Sequence, residues 1–327
     1  MSTVHKLLTP EEIASKGGAK IPFLHLPERA DAFASRARRL RSLAPGHALE
    51  GYLEFMALVA DQQQVRLDNM PPVAIPRPEA LDRSHEHGMP PIDFSTHARD
   101  VGWCDSLRRM LRAIAAETEG TTHDVVARLE NSPDALYEAQ ASKLLAGITF
   151  GLDIATAPLI GAGLQVYFTH LALALGQDAI RPIEVPSVCP CCGSRPTASI
   201  ARVGSEAIGF RFLHCSLCST EWHMVRVKCT HCESTKGISY LSLDDGKSEA
   251  RKSPVLAETC DECNHYLKIC HMDRDLHVDP CADDLATLAL DLLVTEDGRE
   301  PWGVNYMLVH GDPDAPPSQP LLEKELR

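Results

Sequence analysis

Four CxxC pairs within 75 residues constrain this chain more than any other feature: Cys189/Cys192, Cys215/Cys218, Cys229/Cys232 and Cys260/Cys263. Nine of the twelve cysteines fall between positions 189 and 263. Two thiolates three positions apart on a tight turn face one ion, and a second such turn completes a tetrahedron of sulfur. Four turns therefore make two complete sites. Disulfides would be the alternative in an oxidising compartment. The opening MSTVHKLLTPEEIASKGG has no apolar run and no cleavage site, so the expectation is a cytoplasmic protein whose clustered thiols bind metal.

The spacing also predicts local structure. A strand over 197–203, a turn at 204–206 and a return strand over 208–214 lie between the first two ligand turns, and a strand over 221–228 leaves the second. The layout then repeats: a strand over 237–242, a turn beginning at 244–246, a return over 254–258 and an exit over 265–269. The two gaps between ligand turns are 22 and 27 residues, and the five extra residues fit a hairpin turn. Each module has about fifty residues, too few for a self-sufficient core, so the ion must contribute folding free energy. Sequential pairing of the turns avoids crossing strands between modules; the opposite pairing, first with third and second with fourth, stays open. Four thiolates suit zinc and mononuclear iron equally, and paired turns on hairpins suit a single ion better than a cluster.

Spare ligands surround these turns. Cys191 sits inside the first one, and Cys270, His271, His277 and Cys281 follow the last, where they could form a third, mixed site or pack on strand and helix. His214, His223 and His231 are expected to donate to sulfur or solvent.

The remainder reads as helical. Thr9-Pro10-Glu11-Glu12 is a capping box. Leu26, Ala30, Phe33, Ala37 and Leu40 recur at helical spacing, with Arg36, Arg38, Arg39 and Arg41 expected on a solvated face. A second helix carries Leu49, Leu53 and Met56. Six prolines between 71 and 92 predict a loop or strap with solvated His85 and His87. Further helices are expected over 101–117, 122–131, 133–147 and 282–294, with Cys104 a buried thiol. The stretch 154–176 has no charge and could span a bilayer by length. Its Pro158, Gly161, Gln165 and His170, and the lack of aromatic or cationic flanks, predict a buried central helix instead, with His170 a satisfied core histidine.

The formal charge of −13 over 327 residues, and twelve Lys and Arg against thirteen Asp and Glu across 181–281, argue against nucleic-acid binding. No nucleotide-binding, nucleophile-elbow or triad signature is present, so no enzyme activity is expected. The fold class is α+β and multidomain: a helical domain over 1–181, four-cysteine rubredoxin-like or zinc-ribbon modules over 182–228 and 229–280, and a C-terminal helix and tail over 281–327.

CPCCGSRP at 189–196, HCSLCSTEWHMVRVKCTHC at 214–232 and ETCDECNHYLK at 258–268 resemble the bacterial formate dehydrogenase accessory family, FdhE. DLATLALDLLVTEDG at 284–298 and GVNYMLV at 303–309 extend the resemblance over nearly the whole chain; Cys191 departs from it. The resemblance implies a cytoplasmic, chaperone-like factor that carries iron in two rubredoxin-like sites and acts on the formate dehydrogenase catalytic subunit. A zinc-ribbon interaction protein and an electron-transfer component are the competing readings. The Arg36–Arg41 face and the 71–92 segment are the expected partner surface.

Overall fold

A computed structural model describes residues 22–203, 209–243, 253–311 and 314. The capping box at 9–12, the turns at 204–206 and 244–246, and most of the proline-rich tail lie outside these residues. The described chain opens with a short strand β1 (Leu24–His25) and continues through seven helices: α1 (Ala34–Leu43), α2 (Glu50–Asp68), α3 (Pro78–Glu86), α4 (Gly102–Ala115), α5 (Gly120–Glu130), α6 (Asp134–Leu145) and α7 (Ala157–Leu175). The strands β2 (Pro196–Ala201), β3 (Arg211–Cys215), β4 (Glu221–Met224), β5 (Ile238–Leu241), β6 (Val255–Cys260) and β7 (His265–His271) follow. Helices α8 (Pro280–Ala286) and α9 (Leu288–Glu296) and the short strand β8 (Glu300–Pro301) complete it.

The two cysteine hairpins form one sheet in the order β1-β4-β3-β2-β7-β6-β5, with β8 pairing β7. Their seam is the parallel pairing of β2 with β7, Ser199 opposite Ile269 and Ala201 opposite His271. First strand of one repeat thus meets last strand of the other. This sharing removes two edges that small separate ribbons would expose. Strand β1 covers a further edge, with Leu24 opposite Trp222.

Helix α7 is the axis of the helical body. It is long and apolar enough to cross a membrane, yet 89% of its apolar window is buried inside the fold. The glycines expected to interrupt a bilayer span permit close packing. A Cβ on Gly161 would stand 2.7 Å from Tyr306 Cβ, so residues after α9 reach the helix backbone directly. His170 is buried as predicted, between Arg29 (Nδ1 to Nη2, 3.0 Å) and the Pro71 carbonyl (2.9 Å). Cys104 is buried on α4.

Four expectations are corrected. Residues 78–86 form a helix despite the proline density. Pro78 occupies its first turn, where an amide donor is not needed, and no proline follows until Pro90. His85 on that helix bonds the Ala179 carbonyl at 2.9 Å rather than solvent; His87 is exposed. The predicted stripe from Leu26 begins as irregular chain and turn, just after Leu24 and His25 join the sheet edge, and helix starts only at Ala34. The helix expected over 282–294 is two helices. Asp279 caps the first by accepting from the Cys281 and Ala282 amides, and the Thr287 hydroxyl bonds the Asp283 carbonyl where they separate.

The fourth correction concerns the arginines. Arg38 and Arg41 are solvated and pair with Asp31 and Asp61. Arg36 is only 1% exposed and contacts Asp279, and Arg39 forks onto Asp283 at 2.6 and 2.9 Å and reaches Asp275 at 2.8 Å. Half of the supposed solvent face is therefore the seam between α1 and the region around α8. Periodicity could not show this, because the acidic partners lie some 240 residues away.

A buried polar group supports the same seam. Glu221 receives both arms of Arg202 at 2.5 and 2.7 Å, and His214 Nδ1 lies 3.3 Å from its Oε1. Burial alone would raise its pKa, but the Arg202 guanidinium and the His214 ring outweigh burial and hold the carboxyl at about 2, against an ordinary value of 4.5. A depressed folded pKa stabilises the fold above pH 4.5, and that stability drains away as pH falls from about 4.5 to about 2. Glu221→Gln is expected to cost on the order of 3 kcal/mol at pH 7. The gap to the parent chain should narrow below about pH 4.5 and close near pH 2 in urea unfolding, since ion-dependent losses are common to both chains. A gap independent of pH would refute the assignment.

Candidate metal centres

Each CxxC turn is built the same way. The residue after its second cysteine adopts a left-handed conformation: Gly193 at φ 75°, Ser219 at 56°, Glu233 at 61° and Asn264 at 56°. At three of the turns the amide of that same residue bonds back to the carbonyl of the first cysteine. Gly193 N donates to the Cys189 carbonyl (2.8 Å), Glu233 N to Cys229 (3.1 Å) and Asn264 N to Cys260 (3.0 Å). Amides also point at sulfur, Cys218 N to Cys215 Sγ at 3.4 Å and Cys232 N to Cys229 Sγ at 3.5 Å. Such donors stabilise thiolate. Glycine and asparagine at two of the four left-handed positions were a sequence signal for these turns.

The turns converge in sequential pairs. Cys189, Cys192, Cys215 and Cys218 form one set, and Cys229, Cys232, Cys260 and Cys263 the other, each with its sulfurs within 4.8 Å of one another. Closest approaches are 3.6 Å (Cys189–Cys218), 3.4 Å (Cys192–Cys215), and 3.7 Å for both Cys229–Cys263 and Cys232–Cys260. A disulfide needs about 2.05 Å. A tetrahedron with metal–sulfur bonds of about 2.3 Å has edges of about 3.8 Å. Both sets therefore fit one tetrahedral ion each. Electrostatics point the same way at the first set. Burial pushes the Cys189 and Cys192 thiols well up, and hydrogen bonds from the neighbouring thiols hold Cys218 down against the same burial. Four thiolates in so dry a pocket need a cation.

The two centres differ in setting. All four sulfur residues of the first are at most 1% exposed and belong to the core of the helical body. The Ile92 and Phe94 amides bond the Cys191 and Cys192 carbonyls (3.2 and 2.9 Å), and Gln165 on α7 donates to the Ser216 carbonyl at 2.8 Å. Cys191 is fully buried there. At the second centre Cys232 is exposed and Cys263 half-buried.

The other candidate ligands separate. Cys270 lies buried on β7, and Cys281 on α8 approaches Thr197 Oγ1 at 3.7 Å, so the mixed site imagined after residue 269 does not assemble. His214 is turned away from sulfur of either centre's turns, towards Glu221 and Arg36. His223 packs edge-on to Phe210 and Phe212. His231 stacks on His265 at 3.8 Å, a pairing that spacing alone did not reveal. A cavity of about 460 Å³ opens between α6 and the sheet, lined by Ile148, Leu267, Lys268, Asp284, Asp291 and Tyr306. Its ammonium is already satisfied: Lys268 lies 3.0 Å from Asp284 and 2.5 Å from Asp291.

Comparison with known proteins covers nearly the whole chain. Residues 21–184 match the family described as FdhE, N-terminal, residues 188–226 the FdhE central domain and residues 227–308 the FdhE C-terminal domain. A Protein FdhE homolog of Pseudomonas aeruginosa is 40% identical over 305 residues, covering 93% of this chain and 98% of that protein. Protein FdhE of Salmonella dublin is 36% identical over 293 residues, 89% and 93% respectively. The crystal structure of the FdhE protein from Pseudomonas aeruginosa superposes with a TM-score of 0.79 at 40% identity, covering 89% of this chain and 100% of that one.

Proposed function

The chain belongs to the FdhE family, and we propose that it serves as an accessory factor in the maturation of formate dehydrogenase, acting in the cytoplasm on the catalytic subunit rather than catalysing a reaction itself. The observation that carries the chemical part of this reading is the pair of four-sulfur centres at tetrahedral spacing. Iron in both, bound by Cys189, Cys192, Cys215 and Cys218 and by Cys229, Cys232, Cys260 and Cys263, makes the protein redox-competent and chaperone-like. The half-open second centre supports contact with a partner's own redox groups.

Two measurements test this. Protein purified without oxygen should contain two iron atoms per chain, and air oxidation should develop the red colour of ferric tetrathiolate; a colourless protein carrying zinc would replace this reading with a structural ribbon. Immobilised protein should capture the formate dehydrogenase catalytic subunit under reducing, oxygen-free conditions. Failure to capture it would overturn the accessory role.

A further inference from the structure

The cavity of about 460 Å³ opens where three stretches of the chain meet. Ile148 follows α6, Arg195 precedes β2 and Leu292 lies on α9, so its walls come from the N-terminal, central and C-terminal segments matched by the family. Ligand pockets favour such junctions and have volumes of roughly 300–1,000 Å³. The walls are mainly aliphatic, and two of their residues stay in water: Ile148 is 44% exposed and Leu292 58%. A small molecule held inside would leave that rim wet, whereas a segment of another protein covers rim and cavity together.

The charges on the walls are unequal in their needs. Lys268 lies between Asp284 and Asp291, whose remaining oxygens accept from Asn305 Nδ2 and the Tyr266 hydroxyl at 2.8 Å each. That cluster is complete in itself. Arg195 is exposed and pairs with no carboxylate among the described residues. Its guanidinium lies over the Trp302 ring at 5.3 Å, and the Trp302 amide donates to the Tyr266 carbonyl at 2.9 Å. The Arg195 carbonyl accepts from Ser216 N at 3.2 Å and Ser216 Oγ at 2.8 Å. Backbone and guanidinium are therefore both held, and stacking leaves the N–H edge of the fork for a carboxylate.

We infer that this cavity docks an apolar segment of a partner protein bearing one acidic side chain, the apolar residues covering Ile148 and Leu292 and the carboxylate meeting Arg195. The arginines of α1 offer less to such a segment, since Arg36 and Arg39 are committed to Asp279 and Asp283. The inference rests on the accessory reading, in which the partner is the formate dehydrogenase catalytic subunit, and it gives that reading a contact surface.

Affinity of the immobilised full chain for the purified catalytic subunit, measured under reducing, oxygen-free conditions, tests it. Leu292→Asp should weaken binding by at least about tenfold. Arg195→Met should weaken it by about tenfold and remove most of its salt dependence. Both side chains are exposed, so metal content and urea unfolding should match the parent chain. Val101→Asp, at a residue 75% exposed on α4's N-terminal edge and outside the cavity lining, should bind as the parent does. Parent-like affinity in either cavity variant would overturn the docking site and leave the accessory reading standing. A parent chain that sediments as a dimer, separated to monomers by Leu292→Asp, would give this face to a second copy and overturn it too. No binding by the parent chain would overturn the accessory reading and the site together.

Discussion

Cys215→Ser is expected to reduce bound metal from two ions per chain to one and to destabilise the whole protein by at least about 4 kcal/mol. The size follows from position. Cys215 ends β3 and is 1% exposed, and its sulfur accepts from the Leu217 and Cys218 amides at 3.4 Å each. Its three partners sit in the core shared with α7. Without the ion, buried thiols must repack around a void while the Ile92, Phe94 and Gln165 contacts lose their anchor. Ion binding of this kind supplies on the order of 10 kcal/mol in isolated peptides. Cys232→Ser at the exposed second centre should lose an ion at much smaller cost to the helical body. Metal analysis and urea unfolding of both variants decide the matter; equal destabilisation would show that the centres are structurally equivalent.

Arg211→Met should cost about 3–5 kcal/mol. Arg211 on β3 and Glu258 on β6 are 1% and 3% exposed and pair at 2.8 Å, with β2 and β7 between their strands in the sheet order. Arg211 also donates to the Lys228 carbonyl at 3.0 Å and Thr230 Oγ1 at 2.8 Å, so one side chain ties the first hairpin, the connecting segment and the second hairpin. Removing it leaves Glu258 buried, with the Tyr240 hydroxyl at 2.9 Å and no ion-pair partner among the described residues. Substituting Glu258→Leu as well should recover much of the loss, because the larger part of the penalty is the stranded charge. A single substitution costing less than about 1 kcal/mol would show that the seam is held by backbone pairing alone.

These two variants separate what was legible in the chain from what was not. The CxxC spacing predicted which sulfurs meet, and the pairing Cys189/Cys192 with Cys215/Cys218 holds, because a short hairpin returns each turn to its nearest neighbour. Apolar periodicity located α2, α4, α5, α6 and α7. It missed α3, where prolines were counted without regard to their positions in the first turn, and it misplaced Arg36 and Arg39, whose acidic partners are remote in sequence. His231 and His265 are 34 positions apart, and nothing at either position announces the other.

By itself, then, the sequence determined the local chemistry: two tetrahedral sulfur sets, an uncharged central helix and a family. Tertiary structure alone decided their inequality. Closing β2 against β7 and docking α1 on the α8 region buries the first centre in the helical core and leaves the second at the rim beside a pair of stacked imidazoles. The reason is range. Ligand geometry is set within a turn and a hairpin, whereas burial depends on which distant surfaces meet.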